Sequence, residues 1–76
     1  MSFGSHIVKS AVLHRYSVFL RGNEGAFSGI LTQFDAKMYV FEQCQSVPTK
    51  EGETVIPFKG RILIEREHVN YLVEAP

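Results

Sequence analysis

The chain is poor in several things at once: it has one cysteine, no tryptophan, three prolines and no net charge. A lone thiol excludes an intrachain disulfide framework, and no Cys-x-x-Cys or paired Cys/His spacing is available for redox or zinc chemistry. The longest apolar run is Met38-Tyr39-Val40-Phe41, far from the roughly 18 consecutive residues that a membrane helix requires. The first residues also lack the apolar core of a secretory signal. A cytoplasmic protein without a membrane role is therefore expected. Zero net charge argues against general duplex binding, because each neutralised phosphate needs a cation and affinity rides on counterion release.

What is present is enough to fold. Seventy-six residues, 45% hydrophobic and 21% charged, describe a single domain over 1–76 rather than a polar tail. A chain of this length buries only roughly 60% of the surface exposed by its unfolded form, so self-association is the expected source of further burial. Charge is unevenly placed. Residues 1–23 carry Lys9, Arg15 and Arg21 and no acid, a segmental charge of +3 that the remaining residues balance.

Periodicity divides the chain. Ser5 as N-cap and Ile7, Val8, Ala11 and Val12 on one stripe predict a helix over about 5–13. The period then falls to two, with Tyr16, Val18 and Leu20 alternating against Arg15, Ser17 and Arg21 up to the turn Gly22-Asn23-Glu24-Gly25. A second strand spans Phe27 to Phe34, with Gly29 marking a bend or close backbone approach, and Asp35-Ala36-Lys37 reverses the chain into a third strand, Met38 to Cys44. After a loop over 45–52, a long fourth strand is expected from Thr54 to Glu65. Thr54, Ile56, Phe58, Ile62 and Ile64 lie on its core face, and Pro57 and Gly60 bend it near the middle. Val69 to Glu74 forms a fifth. The fold class expected is small all-β: a helix followed by a five-stranded, strongly bent antiparallel sheet or open barrel. Its apolar last strand is a candidate open edge, which head-to-tail pairing into a ring would cover.

Three runs carry a family resemblance: Val18-Phe19-Leu20-Arg21-Gly22, Phe27-Ser28-Gly29-Ile30-Leu31 and Phe34-Asp35-Ala36-Lys37-Met38, continued by Tyr39-Val40-Phe41-Glu42. In order and spacing they resemble the first signature of the Sm-like family, and Ile62-Leu63-Ile64 to Val69 lies where the second would fall. The resemblance implies rings of about six to eight copies of this chain, the fourth strand of one pairing with the fifth of the next. It also implies single-stranded RNA read by loop residues at a central pore. This sequence departs from the family where bases are read. The family's Asn after the Met is Tyr39, and its Arg-Gly pair falls on Glu65-Arg66. Tyr offers a stacking face worth roughly 1 to 3 kcal/mol per base but little discrimination, so weak base specificity is expected.

Tyr39, Lys37 and Arg66 are thus the candidate RNA-binding residues. Asp35 and Gly29 are the candidate turn-structuring ones. Ile62, Ile64, Val69, Tyr71 and Val73 are the candidate subunit interface. The reading from a different class is an oligomeric protein-interaction scaffold with no nucleic-acid role, to which zero net charge and the aromatics Phe19, Tyr39 and Tyr71 point. No phosphate-cradling glycine loop, nucleophile elbow or converging acid–base pair is legible, so neither an enzyme nor a small-molecule substrate is expected. No cofactor or metal is expected either. His6 and His14 bracket the first helix, His68 stands alone, and Cys44 at a strand end reads as a small hydrophobe.

Overall fold

The computed structural model describes residues 11–75. Five strands, β1 (Arg15–Leu20), β2 (Ala26–Phe34), β3 (Met38–Ser46), β4 (Ile62–Glu65) and β5 (Val69–Glu74), form one antiparallel sheet in the order β4-β3-β2-β1-β5. The sheet does not close, because β4 and β5 are its two edges and do not pair with each other. Residues 5–10 of the expected helix lie outside the described residues. Ala11–Leu13 form a turn, which Leu13 leaves at a φ of 65°.

Alternation places the core. Tyr16, Val18, Phe27, Leu31, Phe41, Cys44 and Val69 are buried, and Ile62, Ile64, Leu72, Phe34 and Tyr39 pack around them half-buried. Phe27 meets Phe41 edge to face with ring centres 5.3 Å apart, an arrangement that suits the aromatic quadrupoles. The sheet curves through changes of register. β3 carries an extra residue opposite Gly29, with Gln43 at a φ of 51°, and β2 carries one at Thr32. Arg15 fastens the first of these irregularities, its guanidinium donating to the Ser28 hydroxyl and to the Gln43 carbonyl, both at 3.0 Å. Gly29 sits where two strands press together. A Cβ there would lie 2.9 Å from Cys44 Sγ and 3.0 Å from Phe41 Cβ.

The fourth strand differs from its expected extent. In place of a bent strand over 54–65, the ladder on β3 is broken into two pieces. Phe58 N–H donates to the Cys44 carbonyl and Ser46 N–H to the Ile56 carbonyl, both at 2.8 Å, and pairing resumes only at Ile62 opposite Phe41. The registers of the two pieces differ by one residue, since Gln45 faces Pro57 while Phe41 faces Ile62. Gly60 lies at the break and adopts a φ of 79° that strand geometry does not contain. Pro57 is tolerated in the first piece because its position opposite Gln45 falls between the two ladder bonds and requires no N–H of it. Ile56 and Phe58, expected on the core face, are consequently exposed.

Candidate functional site

The strand order brings two turns together, Asp35–Lys37 between β2 and β3 and Arg66–His68, a single 3-10 turn between β4 and β5. A backbone bond joins them directly, Arg66 N–H donating to the Lys37 carbonyl at 2.7 Å. The first turn is shaped by its own carboxylate. Asp35 Oδ1 accepts the N–H groups of Lys37 and Met38, both at 2.8 Å, while Asp35 N–H donates to the Met38 carbonyl. These backbone donors, and secondarily the charges of Arg66 and Lys37, hold the Asp35 carboxyl below its ordinary range.

Arg66 reaches back over this turn. Its guanidinium donates to the Asp35 carbonyl at 2.9 Å and lies over the Tyr39 ring, 5.2 Å from the centroid. The Tyr39 ring also packs obliquely on Phe41, with centroids 5.9 Å apart. Tyr39 is therefore covered rather than freely presented. The planar cation above it is what faces outward, since Arg66 is exposed and Tyr39 half-buried. An open hollow of about 640 Å³ lies alongside, with Tyr39, Arg66, Asn70 and Tyr71 among its lining residues. Lys37, exposed at the turn, lines an adjoining hollow with Arg66 and the carboxylates Glu65 and Glu67. The three candidate RNA-binding residues thus share one apex.

The candidate interface residues fall into two sets. Ile62, Ile64 and Val69 turn their side chains to the chain's own core, so only the backbone of their edge strands is left to meet a neighbour. Tyr71 and Val73 on β5 and Leu63 on β4 point outward, each about half exposed. Tyr71 stacks on Phe19 across the β1–β5 pair, ring centres 4.7 Å apart. Burial pushes the Cys44 thiol up from its ordinary pKa, which disfavours the nucleophilic thiolate.

One grouping escapes a residue-by-residue reading. Glu65, Glu67 and His68, spread over four positions, bring their donor atoms within 4.8 Å of one another. Sequence spacing leaves His68 alone, because recognising its partners requires knowing that the chain makes a 3-10 turn there and sends Arg66 elsewhere.

Comparison of the chain with protein-family models, with curated proteins and with solved structures finds no match. The class of protein is accordingly set by its own geometry. It is a small all-β protein whose open five-stranded antiparallel sheet carries an Arg–Tyr–Lys apex between two edge strands. Among the described residues, no helix is long and apolar enough to cross a membrane.

Proposed function

We propose that this chain is a divergent Sm-like module that assembles into a ring of about six to eight copies and binds single-stranded RNA with weak base specificity at the Lys37–Tyr39–Arg66 apex. The observation that carries the reading is the Arg66 guanidinium lying over the Tyr39 ring and anchored to the Asp35 carbonyl. A tethered, exposed guanidinium attracts phosphate and offers a planar face to a base, and it tolerates any base because each has a π-face. No Asn stands at this position to read a base edge, so discrimination is weak. The sheet order supports the assembly half of the reading: β4 and β5 are the two unpaired edges, as pairing between neighbouring copies requires.

The test is fluorescence anisotropy of short U-rich and A-rich RNAs, with native mass spectrometry of the same protein. We expect micromolar affinity for both RNAs, falling as salt rises, and a roughly tenfold loss in Arg66→Ala with the assembly intact. Absence of binding to either RNA at low salt would reject the RNA half. The protein-interaction scaffold would then stand, favoured by the exposed apolar side chains of Val55, Ile56 and Phe58 beside the interrupted fourth strand.

A further inference from the structure

We propose that Glu65, Glu67 and His68 form a site for a divalent first-row transition cation, zinc among them, and that its occupancy switches the charge of the apex. Two carboxylates and an imidazole supply the mixed oxygen and nitrogen donors that such ions favour, and the imidazole distinguishes this set from a patch of acids. Their donor atoms lie within 4.8 Å of one another, and since ligands roughly 2.0 to 2.2 Å from a tetrahedral centre stand about 3.3 to 3.6 Å apart, side-chain rotation on this exposed turn closes the set around an ion.

A second feature concerns the cation that sequence places between the two acids. Arg66 is committed to the Asp35 carbonyl and the Tyr39 ring, and among the described residues no Lys or Arg forms an ion pair with Glu65 or Glu67. Two like charges are therefore held close together without a counter-charge in contact, which a bound divalent ion would supply. The three donors belong to the single 3-10 turn Arg66–His68 and to Glu65, the extended residue that leads into it.

The coupling to function rests on the RNA reading given above. Empty, the turn presents Glu65 and Glu67 beside Arg66 and Lys37, and their charges repel the phosphates that the two cations attract. A bound divalent ion cancels that repulsion without touching Arg66 or Lys37. The ligand at the apex is thus a phosphate-bearing strand held more tightly when the cation site is filled.

Zinc chloride titrated calorimetrically into the full chain separates the two parts. We expect one site per chain with micromolar affinity, weakened at least about tenfold in His68→Ala and in Glu67→Gln and unchanged in His14→Ala. No zinc uptake, or equal uptake by His68→Ala and wild type, overturns the site. In a parallel anisotropy titration, zinc raises RNA affinity severalfold in the wild type and not in His68→Ala. Zinc binding that leaves a measurable RNA affinity unchanged overturns the charge switch. If zinc binds at the site while RNA binds under neither condition, the RNA reading fails and the cation site stands.

Discussion

Gly29 and Asp35 show how single residues hold this sheet in shape. At Gly29 the constraint is steric, because an added methyl would meet Cys44 Sγ and Phe41 Cβ, both on buried residues that have nowhere to retreat. Gly29→Ala should cost about 1 to 3 kcal/mol, read as a lower denaturant midpoint at unchanged slope. At Asp35 the constraint is electrostatic, and its sign can be worked out. The folded-state carboxyl titrates below its ordinary value of 3.8 because the ionised form accepts the Lys37 and Met38 N–H groups. Its contribution is fully present above that ordinary value and is lost as pH falls through the lowered folded value. Thermal midpoints measured from pH 6 down into that acid window should fall less steeply for Asp35→Asn than for the wild type; identical slopes would mean that the Asp35 bonds contribute nothing to folding.

At the scale of elements, β1, β2, β3 and β5 are legible because each is an apolar-rich run bounded by turn residues, and Val69–Glu74 matches its expected bounds. The fourth element was overread for a physical reason. Alternation from Thr54 to Glu65 records which side chains could share a face, but it carries no information about register: between the Gln45–Pro57 and Phe41–Ile62 pairs the fourth segment spans one residue more than β3, a surplus taken up where Gly60 turns left-handed. The apex was half legible. Lys37, Tyr39 and Arg66 were individually nameable, whereas the covering of Tyr39 by Arg66 and the grouping of Glu65, Glu67 and His68 depend on how two turns meet. The break at Gly60 is open to test. No neighbour lies within 4 Å of a Cβ built there, so Gly60→Ala isolates the cost of a left-handed backbone, about 1 to 2 kcal/mol in chemical unfolding. A neutral substitution would mean that the chain between Phe58 and Ile62 readily takes another path.

At the scale of the whole molecule, the decisive property is that the sheet ends in two different edges. β4 exposes Leu63 at 56%, and β5 exposes Tyr71 and Val73 at 51% and 49%. Head-to-tail assembly joins unlike edges, whereas a symmetric dimer joins like ones, and this difference makes the arrangement testable without an image of it. A charge placed on an edge that becomes buried is left unpaired at a cost of several kcal/mol. Leu63→Lys should therefore block the β4 edge and Val73→Asp the β5 edge, each variant sedimenting as a monomer by itself. Mixed, the two retain one good edge apiece: β5 of the Leu63→Lys chain can pair with β4 of the Val73→Asp chain. The expected result is co-assembly in a one-to-one ratio; the edges left over carry opposite charges, a new lysine on β4 and a new aspartate on β5, so pairing between them can extend the mixed assembly. Pairing of β4 with β4 predicts the opposite pattern, with Val73→Asp still dimerising alone, and pairing of β5 with β5 would leave Leu63→Lys dimeric. Persistence of full-sized particles in both variants would remove the edge strands from the contact altogether and leave the exposed Val55, Ile56 and Phe58 to account for association.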